Sequence, residues 1–151
     1  MKIKYLVIIF TVYTLTSCHF FGQDARMTLA WYNREMILPS GLTCKIMGKD
    51  TVCTFQTKKW KIFTYIDTIG CSTCNFRALD WKRIIHEADS ITSNVTFIFY
   101  AHLKNYEEFE VYTGINRFNY PIFYDYEGKC DRQNHLPDDV FYQTFLLDEN
   151  N

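Results

Sequence analysis

Apolar positions along this chain fall into short β-type runs interrupted by one long helical stripe. Residues 61–66 (Lys-Ile-Phe-Thr-Tyr-Ile) are β-branched and aromatic and predict a strand. Cys74, Ala78, Trp81, Ile85 and Ala88 then recur at spacings of four, three, four and three, which is one face of an α-helix. Residues 95–101 (Val-Thr-Phe-Ile-Phe-Tyr-Ala) are almost continuously apolar or β-branched, as in a strand covered on both faces. Residues 104–112 are compatible with a second helix. Residues 121–125 predict a short strand closed by Glu127 and Gly128, and residues 144–148 a further one. Upstream, residues 43–55 hold two short segments about Gly48-Lys49-Asp50, a hairpin with glycine in its turn. Met36-Ile37-Leu38-Pro39 reads as a short extended lead-in ended by proline. Residues 19–30 have no clean period and read as a tether. Strand, helix, strand, helix, strand in this order predicts an α/β fold with parallel pairings, right-handed crossovers and a sheet buried between helices.

The first residues have a different pattern. Lys2 and Lys4 precede an apolar stretch of eleven residues, 5–15, which is too short to span a bilayer as a stable helix. Leu15-Thr16-Ser17-Cys18 follows and resembles the lipobox of bacterial lipoproteins, in which the signal is cut before the cysteine and that cysteine is acylated. The alternative is an ordinary secretory signal with a cysteine at the cut site. The expected organisation is a signal peptide over residues 1–17, a lipidated tether over 18–42 and one domain over 43–151. Either route exports the chain to an oxidising compartment where cysteines can form disulfides.

Composition narrows the classes. The 151 residues are 48% hydrophobic and 18% aromatic, enough for one ordinary core without disulfide staples and too rich in buried-type surface for disorder. A formal net charge of −1 gives no electrostatic case for nucleic acid. Six cysteines exceed what a reduced cytosolic protein usually carries but are too few for a disulfide scaffold. If Cys18 carries a lipid, five remain to be explained.

Cys71 and Cys74 form a C-x-x-C placed after a predicted strand and at the start of the periodic helix. Unpaired N–H groups and the positive end of a helix dipole facing Cys71 would favour its thiolate, the reactive form of sulfur. Cys71 is therefore the expected nucleophile on a partner disulfide, and Cys74 the thiol that resolves the mixed disulfide. An inert thiol pair is the bland alternative. A zinc site would need two more ligands, and only Cys130 and His135 are candidates in sequence.

This arrangement resembles the thioredoxin superfamily, and more closely the TlpA- and redoxin-type lipoproteins of bacterial envelopes. The likeness runs through Trp31 with Glu35-Met36-Ile37-Leu38-Pro39, Gly48-Lys49-Asp50-Thr51, Tyr65 to Cys74, Tyr120-Pro121, and Gln143 to Asp148. It implies a thioredoxin-like α/β fold with a mixed central sheet flanked by helices and an N-terminal β-hairpin extension. It also implies a thiol–disulfide oxidoreductase that needs no cofactor, because the redox-active disulfide is in the chain. The implied partners are protein thiols and disulfides of the cell envelope, with the membrane reached through the lipid anchor and the domain on the periplasmic side. Three features depart from the pattern. Ser72 and Thr73 separate the cysteines without the proline many relatives carry. Tyr142-Gln143 stands where thioredoxins have a proline before the last strand read here. The chain stops at Asn151, where the fold normally adds an antiparallel strand and a helix, so those two elements are expected to be missing and residues 144–148 to be an unprotected edge. A second reading is a non-catalytic surface lipoprotein that uses the scaffold for binding. A third is a thiol peroxidase, because Thr68-Ile69-Gly70-Cys71 matches a T-x-x-C, although Thr64 occupies the place of the expected upstream proline.

Four other residues remain to be weighed. Asp67, four residues before Cys71, reads as a solvated strand-end carboxylate or as a proton relay for Cys74. Cys44 and Cys53 lie on opposite arms of the predicted hairpin, as a structural disulfide or as two free thiols. Cys130 is left over and reads as a loop residue without a catalytic role.

Overall fold

The longest pairing in the molecule joins β3 (Trp60–Ile66) and β4 (Val95–Ala101), which run parallel in register from Trp60 opposite Val95 to Ile66 opposite Ala101. The computed structural model describes residues 22, 24–53, 58–67 and 76–151. Around β3 and β4 the sheet takes the order β2-β1-β5-β4-β3-β6. Its β5 (Ile122–Tyr124) is parallel to β4, while β1 (Thr43–Ile46), β2 (Lys49–Asp50) and β6 (Thr144–Leu147) are antiparallel to their neighbours. The centre is thus parallel, as the crossovers require, and both flanks are antiparallel. Among the described residues no strand pairs with the outer side of β6.

Alternation sorts the sheet into two faces. Ile66, Phe99, Ala101, Ile122 and Tyr124 share a face with the buried residues Ala78 and Ile85 of α1 (Ala78–Ile91) and Phe109 of α2 (Tyr106–Ile115). Phe99 is its centre: fully buried, with its ring 5.6 Å from Phe76, 5.3 Å from Trp81 and 5.4 Å from Phe118. The other face carries Phe63, Tyr65, Tyr100 and Phe123, with Phe63 and Tyr100 in edge contact at 5.2 Å.

The helices start where capping dictates. Asn105 caps α2 by accepting from the Glu108 amide while its own carboxamide donates to the Glu108 carboxylate, a reciprocal pair that satisfies the exposed first turn. α1 begins only at Ala78. Arg77 before it is left-handed (φ 48°), and the Ala78 amide is satisfied by the Tyr112 hydroxyl. Cys74, which the spacing assigns to the first stripe position, therefore precedes α1 and lies outside the described residues.

The short helix α3 (Lys129–Asn134) corrects the expectation of a loop around Cys130. Gly128 enters it at φ 63°, and a Cβ there would stand 3.2 Å from the His102 ring, so both backbone and space call for glycine. The fully buried Asp125 carboxylate accepts from the amides of Lys129 and Cys130. Six residues capped by a side chain upstream have no periodicity to read.

The β1–β2 hairpin turns at Met47-Gly48, one residue earlier than the predicted Gly48-Lys49-Asp50. Ile46 and Lys49 close it, and both loop residues have positive φ, the two-residue turn that matches strand twist. Lys45 ties the hairpin to α2 through Glu110 at 2.8 Å. The packed unit runs from Glu35 to Asn151 and takes in the lead-in segment. Met36 is buried and donates to the Asn151 carbonyl, Asn134 bonds both polar backbone atoms of Ile37, and the Tyr100 hydroxyl reaches the Pro39 carbonyl. Buried Lys61 donates to the carbonyls of Asp148 and Glu149 and to the Asn151 side chain. A separate unit ends at Arg34; its residues 24–31 are helical, where the sequence reads as an aperiodic tether.

Candidate functional site

The connection between β3 and α1 carries Cys71 and Cys74, and both lie outside the described residues, as do Cys18 and Thr68. What the structure describes is the strand end that leads into this connection and the groups around it. Tyr65 is the last residue but one of β3, and Asp67 directly follows the strand. The Tyr65 amide donates to the Gln143 carbonyl at 3.0 Å, joining this strand end to the residue directly before β6.

Asp67 is partly buried, and its Oδ2 accepts from Nε2 of Gln143. The same Nε2 donates to the Pro137 carbonyl at 3.0 Å, and Gln143 itself is buried. Asp67 is therefore held rather than freely solvated. Gln143 stands at the position of the expected proline, at the end of the 3-10 turn Val140–Tyr142. No local pattern pairs Gln143 with Asp67, which is 76 residues away. A polar residue where the resembling family has proline was the available signal.

The Tyr65 hydroxyl is buried and, among the described residues, meets no hydrogen-bond partner. Burial raises its pKa well above the ordinary phenol range, and negative charge at Asp125, Asp131 and Asp67 adds to the effect. Cys130, fully buried in α3, has its thiol pushed up to about 12, mainly by burial and further by Asp125, with the Asn134 hydrogen bond opposing in part. Such a sulfur stays protonated and is a poor nucleophile. His102 places Nδ1 2.8 Å from the Asp125 carbonyl.

Cys44 and Cys53 are joined in a disulfide with Cα atoms 6.1 Å apart. They are not directly opposed: the Thr51 amide bonds the Cys44 carbonyl, so Cys53 lies beyond the ladder partner. Cys44 shares a register row with Phe123, Tyr100 and Tyr65. Three strand spacings therefore separate its Cα from that of Tyr65, roughly 14 Å. The hairpin disulfide and the Asp67 end of β3 are distinct places on the sheet. Replacing both hairpin cysteines by alanine is expected to lower stability by about 2–3 kcal/mol, the loop-closure value for so short a loop. Denaturant midpoints of the native chain and the double variant, both without reductant, measure this.

No family model and no curated sequence matches this chain. Among solved structures it is similar to StoA from Bacillus subtilis, with a TM-score of 0.51 at 17% identity, covering 74% of this chain and 84% of that one. The chain has a thioredoxin-like fold, with a six-stranded mixed sheet and helices packed on it.

Proposed function

We propose that this chain is a thiol–disulfide oxidoreductase of the bacterial envelope, of the TlpA-like lipoprotein type, working through Cys71 and Cys74. The observation that carries the reading is positional. In a thioredoxin-like fold, Cys71-Ser72-Thr73-Cys74 occupies the connection from the end of β3 to α1. Sulfur chemistry at that connection needs no cofactor. In the reducing direction, the Cys71 thiolate attacks a substrate disulfide, forming one S–S bond and releasing the first substrate thiolate, which takes a proton. Cys74 then displaces the second substrate sulfur from Cys71. The pair loses two electrons, the substrate gains them, and a second dithiol in the envelope restores the reduced pair. Oxidation of substrate thiols is the same sequence reversed. Acylation of Cys18 holds the domain on the membrane, facing the periplasm.

Gln143 in place of a proline favours the rival reading, a binding module without catalysis, and one experiment separates the two. Exchange with a model protein disulfide should fall to background in Cys71→Ser, and Cys74→Ser should accumulate a mixed disulfide. Alkylation should label Cys71 well before Cys74. No exchange above background in the wild-type chain, or equal and slow labelling of both cysteines, would leave the binding module. In the same preparations the wild-type chain should partition into detergent and Cys18→Ala should block both lipidation and signal removal; a soluble, correctly cleaved Cys18→Ala product would mean an ordinary secretory signal.

A further inference from the structure

The two edges of the sheet are unlike. β2 ends one side with two exposed, charged residues, Lys49 and Asp50, and so short and charged an edge resists further pairing. β6 ends the other side with Thr-Phe-Leu-Leu, which carries neither charge nor proline. The ladder fixes which of its backbone groups point outward. The Tyr65 amide bonds the Gln143 carbonyl, and alternation then makes Phe63 with Phe145 and Lys61 with Leu147 the bonded pairs. The N–H and C=O groups of Thr144 and Leu146 therefore face away from β3, and among the described residues no strand meets them. The Leu146 side chain is 68% exposed. The residues that follow are drawn elsewhere: Lys61 of β3 holds the Asp148 and Glu149 carbonyls, and the Asn150 amide turns back to the Asp148 carboxylate.

We propose that a second copy of this chain pairs with this edge, β6 antiparallel to β6 about a two-fold axis at Leu146. The pairing is independent of the cysteine chemistry. Self-complementarity selects both the partner and the register. In an antiparallel pair related by a two-fold axis, the residue on the axis faces its own copy and exchanges two N–H···O bonds with it. The axis must fall on a residue whose backbone groups point outward: Thr144, Leu146 or Asp148. At Asp148 it would set two carboxylates opposite each other, and the Asp148 carbonyl is already held by Lys61. At Thr144 it would oppose Leu146 to Tyr142, which lies in a 3-10 turn and not in a strand. At Leu146 the outward groups are matched. Each Leu146 pairs with its counterpart, and each Asp148 amide reaches the Thr144 carbonyl of the other copy. The two exposed leucine side chains meet on one face, while the Asp148 carboxylates stay at opposite ends of the pairing. The assembly closes at two copies, because each chain has one edge of this kind.

Sedimentation of the purified full chain over a concentration series should show a monomer–dimer equilibrium. Leu146→Lys keeps the backbone groups but sets two like charges against each other at the axis. It should lose the dimer at concentrations where wild type is dimeric, with an unchanged circular dichroism spectrum. Val111→Lys, at an exposed apolar position on α2, should dimerise as wild type does. Cross-linking reads the register. In a Cys71→Ser, Cys74→Ser background, Leu146→Cys should form an intermolecular disulfide on mild oxidation, because its Cα meets its copy at about 5.5 Å. Phe141→Cys, at a side chain 88% exposed but off the strand, should not. A dimer that survives Leu146→Lys, or equal cross-linking at the two positions, would overturn the proposal. So would a wild-type chain that is monomeric at every concentration, whether its edge stays bare or takes up a strand of another protein.

Discussion

Phe99→Ala is expected to lower the free energy of unfolding by about 3–5 kcal/mol, the range for removing a fully buried aromatic ring. The magnitude follows from position. Phe99 lies mid-strand on β4 with no exposed surface, and rings from three segments, Phe76, Trp81 and Phe118, meet its edges and face. Edge contacts of this kind add to the area term. Collapse into the space is opposed by the β-ladders on both sides of β4, which hold its backbone between β3 and β5. Urea unfolding should show a lower midpoint with an unchanged slope, and Phe141→Ala, at a side chain 88% exposed, should stay within about 0.5 kcal/mol of wild type. A loss below about 1.5 kcal/mol at Phe99 would mean that the aromatic cluster refills the space, contrary to its assignment as the centre of the core.

The second large effect is expected at Asp125. Its carboxylate is fully buried and accepts from the Lys129 and Cys130 amides, while its own carbonyl faces Nδ1 of His102 and accepts from the Gly128 amide. Asp125→Ala strands two amide donors at the start of α3 and should cost about 2–4 kcal/mol. Asp125→Asn keeps one acceptor oxygen and turns an NH2 group towards the other donor, so it should fall between alanine and wild type. Loss of α3 would also release the Asn134 side chain that bonds both polar atoms of Ile37. Hydrogen exchange at Ile37 should therefore accelerate in Asp125→Ala. Unchanged protection there would show that the lead-in segment is held without α3.

Elements built from local pattern were legible in the chain. β3 and β4 are β-branched and aromatic runs whose neighbours in sequence already suit a strand, and the stripe from Ala78 to Ala88 is periodic over three turns. The hairpin was legible as a hairpin. Its register was not, because that depends on which two residues take positive φ, and Met47 carries no signal for doing so. The pairing of Cys44 with Cys53 stayed open for the same reason. α3 was missed because six residues are too few for a period and its cap, Asp125, lies outside the helix.

By itself, then, the sequence determined an α/β chain with its C-x-x-C on the connection from one buried strand to the main helix, since strand propensity and helical periodicity act over a few residues. Only the tertiary structure decided that β6 runs antiparallel beside β3 and that Cys130 is a buried, unreactive thiol. It also decided that Asp67 meets Gln143. Each of these depends on groups far apart in the chain, and each exists only once β6 has paired with β3 and α3 has been buried. Hydrogen bonding and desolvation of that kind are properties of the packed interior, and no local pattern of residues encodes them.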